Sequence, residues 1–206
     1  MKVKVLIDNG HGSNTPGKRS PDGRVREWKW TREVADKVVA KLRAAGIDAA
    51  RVVTEEADVS LTERVKRINA VCKERGSKNV LLVSIHINAA GDGSKWMNAC
   101  GCSAWVSKNA SLTSKAVAVM FTEAYKTHGM SGNRSVPACG YNTWSWTPND
   151  IYILKASNCP AVLTENWFMD NQADCNTLAS ERGKEQAADV HVECIVKAVR
   201  NLFDMV

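Results

Sequence analysis

Val80-Leu-Leu-Val-Ser-Ile-His86 decides the fold. The run is apolar except at Ser84, and it ends in a histidine. It does not alternate as a half-exposed strand would, and it is too short for an ordinary helix. It reads as a strand covered on both faces of a parallel sheet. Working outward, residues 3–8 form a second such run, Val-Lys-Val-Leu-Ile-Asp, and residues 161–165 a third. Helical patterns separate them. Over residues 28–45, Val34, Val38 and Leu42 recur at i, i+4 and i+8, and Gly46 closes the segment. Ser60-Leu-Thr-Glu63 has the form of a capping box. The helix it opens carries Leu61, Val65, Ile68 and Cys72 on one face and stops near Gly76. Further helices are predicted over 111–128 and 180–203, the latter with Ala188, Val192, Ile195, Val199 and Leu202 inward. Short strands are predicted at 49–54, 102–106 and 152–154, and a loop over 129–149. Strand–helix alternation of this kind implies an α/β fold. The expected architecture is a single layered domain over residues 1–206, with a mostly parallel sheet and helices on both faces.

Composition narrows the class. The 206 residues fit one domain, and 44% apolar with 24% charged residues is the balance of a globular chain. No run approaches the roughly 20 apolar residues that cross a bilayer, so no integral membrane segment is expected. The N-terminal apolar run is too short for a signal peptide and ends at Asp8. Synthesis in the cytoplasm without an export signal follows as an expectation. The cysteines number seven, with no CxxC pair, and read as reduced, mostly buried small hydrophobes. Cys100 and Cys102 have no Cys or His partners at finger-like spacing. A net charge of +6 favours an acidic partner, whether nucleic acid, an anionic surface or a carboxylate-rich polymer. No Lys/Arg-rich helix or aromatic–basic interleaving occurs, which argues against nucleic acid.

In open α/β sheets, ligands bind beyond the carboxyl ends of the strands. The first strand ends in Asp8-Asn-Gly-His11-Gly, the 80–86 strand in Ser84-Ile-His86-Ile-Asn88, and the 161–165 strand in Thr164-Glu165-Asn166. Glu27 sits where the long first loop enters its helix, near the same edge. Two histidines and a carboxylate suit a catalytic zinc, with a second carboxylate as base. These positions converge only through the fold, so satisfied structural residues remain the competing reading. His128, at a helix end, and His191, near an apolar face, read as structural. Asp22 and Glu33 are rival acids near Glu27, and Glu33 reads as solvated. Trp28, Trp30, Trp96, Trp144, Trp146 and Trp167 are placed in or beside loops at the active edge, and Trp105 in the core. Ordinary packing and contact with sugars or stem peptides are both open for them. Trp144 and Trp146 are the foremost candidates for substrate contact.

Taken in order, these motifs resemble the zinc-dependent N-acetylmuramoyl-L-alanine amidases of the amidase-3 type. Asp8-Asn-Gly-His11-Gly is similar to the family's D-x-G-H-G, and Ser84-Ile-His86-Ile-Asn88 to its S-I-H-x-N. Glu27 stands at the start of the first helix, and Ser60-Leu-Thr-Glu-Arg64 before the second. Pro160-Ala-Val-Leu-Thr-Glu165-Asn-Trp-Phe168 with Asn171 is similar to P-A-V-L-x-E-x-G-F-x-x-N. The resemblance spans essentially the whole chain. It implies that His11, Glu27 and His86 bind Zn2+, that Glu165 is the catalytic acid/base, and that the amide between N-acetylmuramic acid and L-alanine of peptidoglycan is cut. Asn88, Trp144, Trp146 and Trp167 are candidate substrate contacts, and Asp8 and Asn88 are candidates to order the metal's imidazoles. Trp167 stands where the family usually has Gly, Ile87 where a small residue is usual, and Ser13 where a second Gly is frequent. These departures reshape the cleft while keeping metal and base. A zinc peptidase, a deacetylase and a wall-binding module without catalysis are the rivals, and Glu165 argues against the last. The lack of a leader fits a phage or prophage lysis enzyme, released to the wall by another factor, or a form whose leader is removed. The protein is expected to act as a monomer, and no autoinhibitory plug is expected within residues 126–150.

Overall fold

Six strands form one sheet in the order β2-β1-β3-β6-β4-β5. They are β1 (Lys4–Asn9), β2 (Asp48–Arg51), β3 (Val80–Asn88), β4 (Ser103–Val106), β5 (Asn142–Thr143) and β6 (Ala161–Phe168). The computed structural model describes residues 3–132, 142–143 and 151–203. All neighbouring strands run parallel except β4, which lies antiparallel on β6. The helices are α1 (Glu27–Ala44), α2 (Leu61–Arg75), α3 (Leu112–Thr127), α4 (Tyr152–Ala156), α5 (Gln172–Ala179) and α6 (Glu181–Ala198). This is the mostly parallel α/β sheet that the sequence implies, with helices on both faces.

The unbroken apolar character of β3 has a direct cause. Leu81, Val83 and Ile85 point into one core with Val34 and Val38 of α1, Phe121 of α3 and Ile195 of α6. Val80 and Leu82 point the other way, to Val65 and Ile68 of α2 and to Ile153 and Leu154 of α4. Each strand residue thus leaves water whichever way it faces. The order β1-β3-β6 then puts three strand ends side by side, with Asp8 paired to Ser84 and His86 to Glu165.

Local departures are instructive. Residues 152–154, expected as a strand, form α4, because packing of Ile153 and Leu154 against α2 outweighs their β propensity. The strand expected at 49–54 ends at Arg51. The helix α5 went unread, although Asn171 caps it by accepting from Ala173 and Asp174 N–H. Ser60 does accept from Glu63 N–H, but the Glu63 carboxylate pairs with Lys66 and Arg67. Leu61, expected on the buried face of α2, is 53% exposed. The α6 helix continues into a π-turn over Val199–Phe203. Four cysteines, Cys72, Cys102, Cys175 and Cys194, are buried as free thiols, and Cys100 and Cys159 are half-buried. Cys139 lies outside the described residues.

His191 is structural. It is fully buried in α6, within 2.7 Å of the Ala187 carbonyl through Nδ1 and 2.9 Å of Thr164 Oγ1 through Nε2. A carbonyl only accepts, so Nδ1 carries the proton and Nε2 accepts from the threonine hydroxyl. Burial pushes its pKa down to about 4, against a smaller upward pull from the Ala187 carbonyl. The folded pKa lies below the unfolded value near 6.5, so the unfolded chain takes up this proton first as the pH falls. Stability should therefore drop by up to about 1.4 kcal/mol per pH unit between roughly pH 6.5 and 4 from this residue alone. His191→Gln, which cannot charge, should flatten that part of the profile in urea titrations. An unchanged slope would place the acid sensitivity elsewhere.

Candidate metal centre

The first residue of α1, Glu27, is 1% exposed, yet it is a carboxylate. One oxygen, Oε1, accepts from Ile87 N–H at 2.9 Å and lies 3.1 Å from His86 Nδ1. The other, Oε2, is buried without a hydrogen bond among the described residues and lies 3.3 Å from His11 Nε2. The two imidazoles meet edge to face, with ring centroids 5.1 Å apart. Donor atoms of His11, Glu27 and His86 all lie within 4.8 Å of one another. Burial alone would raise the Glu27 pKa, but the His86 hydrogen bond and the charges of His11 and His86 outweigh it and hold the group low. Burial pushes His11 down to about 4, leaving it neutral with a lone pair to donate. At His86 burial opposes protonation, but the hydrogen bond and charge of Glu27, with Glu165 and Asp8 beyond, raise its pKa. A buried carboxylate oxygen lacking a donor is costly. A divalent cation shared by the three side chains removes that cost, so the residues present fit a metal.

The backbone that presents His11 is under strain. His11 has φ 61°, in the left-handed region that side chains rarely adopt. Two guanidinium groups hold it there. Arg32 Nη2 and Arg64 Nη2 each donate to the His11 carbonyl at 3.0 Å. Arg64 is 2% exposed. It also donates to Asn9 O and Val59 O and pairs with Asp58 and, at 2.8 Å, with Asp8. Asp8 takes its second bond from Ser84 Oγ, so its hydrogen bonds go to Arg64 and Ser84 and it reaches the His86 imidazole only through its charge. The flanking glycines are needed for close approach. A Cβ at Gly10 would lie 2.4 Å from the His86 ring, and one at Gly12 would lie 2.0 Å from Asp58 N.

On the other side, Asn166 is buried in β6 and donates to the His86 carbonyl at 2.9 Å, while Tyr125 of α3 donates to Asn166. Glu165, half-buried, is the register partner of His86 on the adjacent strand, so its side chain rises on the same face. A cleft of about 180 Å³ opens beside the triad, lined by His11, His86, Asp58, Val59, Leu61 and Ile153. Asn88 ends β3 just past a register shift, and its Nδ2 is buried without a partner among the described residues.

The structure brings His11, Glu27, His86 and Glu165 to one edge, but it corrects the tryptophans. Alternation would put Trp167 on the cleft face with Leu163 and Glu165. Its φ of 58° and the neighbouring irregularity turn the indole into the opposite core instead, where it is 6% exposed. The strain costs about 1–2 kcal/mol, less than the roughly 3–5 kcal/mol at stake in a buried indole. Trp167 therefore packs in the core and not on the cleft face. Trp30 is also core, and Trp28 lies under the Arg32 guanidinium. Trp96 is exposed, and Trp105 packs partly buried against the second core. Trp144, Trp146 and most of the 126–150 loop lie outside the described residues. Glu33 pairs with Lys184, Asp22 with Arg24, and His128 with Glu193. Arg64 carried a signal that went unread: it shares the buried face of α2 with Ile68 and Cys72, where an unpaired charge would not be tolerated.

Residues 5–197 match the N-acetylmuramoyl-L-alanine amidase family of the amidase-3 type. An endolysin of Bacillus phage SPP1 is 25% identical over 202 residues, a match spanning 96% of this chain and 66% of that protein. Among solved structures, an N-acetylmuramoyl-L-alanine amidase from Clostridium difficile 630 superposes with a TM-score of 0.80 at 24% identity, covering 98% of both chains. An N-acetylmuramyl-L-alanine amidase from Mycobacterium smegmatis gives 0.79 at 20% identity, over 96% of this chain and 97% of that one. These two likenesses concern the fold.

If Arg64 positions His11, its fork geometry matters more than its charge. Arg64→Lys should leave a folded protein whose affinity for Zn2+, titrated by calorimetry, falls about 10–100-fold. Undiminished affinity in a folded variant would show that His11 is held without it.

Proposed function

Because this chain belongs to the N-acetylmuramoyl-L-alanine amidase family, we propose that it hydrolyses the amide between N-acetylmuramic acid and L-alanine in bacterial peptidoglycan, with zinc as its cofactor. The observation that carries this reading is the buried Glu27 between His11 and His86, with one oxygen lacking a hydrogen-bond donor. His11, Glu27 and His86 would hold the ion. Zinc bound there supplies Lewis acidity and a water of lowered pKa. Glu165 is the register partner of His86 on the adjacent strand. Its carboxylate takes a proton from the attacking water and returns it to the departing L-alanine nitrogen. Val59, Leu61 and Ile153 give the cleft an apolar side on which the lactyl and alanyl methyl groups can rest. The 53% exposure of Leu61 is then that of a binding surface.

We place the protein at the cell wall, acting as a monomer through one catalytic domain over residues 1–206. The phage endolysin among its relatives supports a lytic role. Among the described residues no helix is long and apolar enough to cross a membrane.

Mass spectrometry of purified peptidoglycan after digestion tests the reaction. Intact stem peptides with a free L-alanine N-terminus should appear, and a zinc chelator should abolish them. Glu165→Gln should lower kcat by about 10²–10⁴-fold while still binding zinc. Cleavage inside the stem would make the protein a peptidase, and full activity in Glu165→Gln would remove the assigned base.

A further inference from the structure

The helix α2 is tied to the turn that leads from α4 into β6, and two cysteines meet across that contact. Asn69 makes the tie. Its Nδ2 donates to the Ala156 carbonyl at 3.0 Å, and its Oδ1 accepts from Asn158 N–H at 2.8 Å. Cys72 lies three residues further along α2, on the same face as Asn69. Cys159 directly follows Asn158. Cys72 is 3% exposed and belongs to the second core with Val65 and Ile68, and half-buried Cys159 packs against that core. The two thiols are hydrogen-bonded to each other. The backbone on the Cys159 side is fixed as well, since the Pro160 carbonyl accepts from Leu82 N–H at 2.9 Å.

This contact sets the pair apart from cysteines that are merely buried. Burial pushes the Cys194 thiol up to about 12 and the Cys102 thiol well above its ordinary value, which makes them poor nucleophiles. At Cys72 the hydrogen bond from Cys159 outweighs burial and holds the thiol below its ordinary value. The same hydrogen bond, with burial and the charge on Cys72, pushes Cys159 up. The two sulfurs thus titrate as a pair that gives up its first proton readily and keeps its second. A thiolate held against a thiol is the arrangement from which a disulfide closes.

We propose that Cys72 and Cys159 are a redox-active pair that a small-molecule disulfide oxidises to an internal disulfide, stapling α2 to the entry of β6. The pair first releases one proton to water. Half-buried Cys159 then passes its own proton across the hydrogen bond to Cys72, and its sulfur attacks one sulfur of the small disulfide. That S–S bond breaks, and the first small thiolate leaves with the electron pair. Cys72 next loses its proton to water and attacks the Cys159 sulfur, and the second small thiolate leaves. The two departing thiolates take up two protons from water. The protein has lost two electrons and two protons, and the small disulfide has gained both as two thiols. The joined residues are far apart in sequence, so the bond restricts the unfolded chain strongly. The stapled helix also carries Arg64, which holds the His11 carbonyl.

Incubation of the full chain with oxidised glutathione, quenching with N-ethylmaleimide and peptide mass spectrometry without reduction tests the pair. A bond joining Cys72 to Cys159 is expected. The melting temperature should rise by about 5–15 °C over the dithiol form and return when dithiothreitol is added. In Cys72→Ser the second attack is lost, so glutathione should stay attached at Cys159 and the rise should vanish. A wild type that keeps both sulfurs free for alkylation, or that joins either one to another cysteine, would overturn the pair. A Cys72–Cys159 bond with an unchanged or lowered melting temperature would overturn the staple. The same rise in Cys72→Ser would move the effect to other cysteines and overturn it too.

Discussion

A carboxylate that is 1% exposed must be compensated, and Glu27 is compensated on one oxygen only. Ile87 N–H and His86 satisfy Oε1, while Oε2 faces the neutral nitrogen of His11. Taking an ion out of water costs several kcal/mol even after relaxation. A fold that spends this on a position at the start of a helix, where the dipole favours a negative charge, presents a carboxylate oxygen suited to a cation. The rest of the centre serves that placement. Glu27 comes from α1, His11 from the loop after β1, and His86 from the end of β3, three segments with no local relation in sequence.

The sheet brings them together, and buried polar groups fix the last ångström. Arg64 pairs with Asp8 at the end of β1 and reaches the carbonyls of Asn9, His11 and Val59. Removing either member of such a pair leaves an uncompensated buried charge. Asn166 does for the His86 backbone what Arg64 does for His11. Strain at His11 is thus confined to one residue and held by two cations. Gly10 and Gly12 on either side let the chain pass the His86 ring and the backbone at Asp58.

The strands β1, β3 and β6 were legible because each is covered on both faces, so Val80 to Ile85 had no regular polar alternation to blur it, whereas β5 falls within the loop expected over 129–149. The His11, Glu27, His86 and Glu165 positions were legible because they follow strands or open a helix at the carboxyl edge. What was misread depended on contacts between distant segments. Ile153 and Leu154 are as apolar in a helix as in a strand, and only their packing on α2 decides between them. Trp167 turns away from the cleft through its positive φ and the adjacent register shift, which no side-chain pattern reports. Leu61 has a core residue's chemistry but overhangs the cleft from the first position of its helix. Arg64 sat in plain view among apolar neighbours, and its five acceptors are spread over three segments.

The central claim is that His11, Glu27 and His86 form one cation site, and diffraction from crystals grown with Zn2+, recorded at the zinc absorption edge, tests it most directly. The account predicts a single anomalous peak bounded by these three side chains. A peak at the cysteines alone, or a triad left without any at saturating zinc, would contradict it.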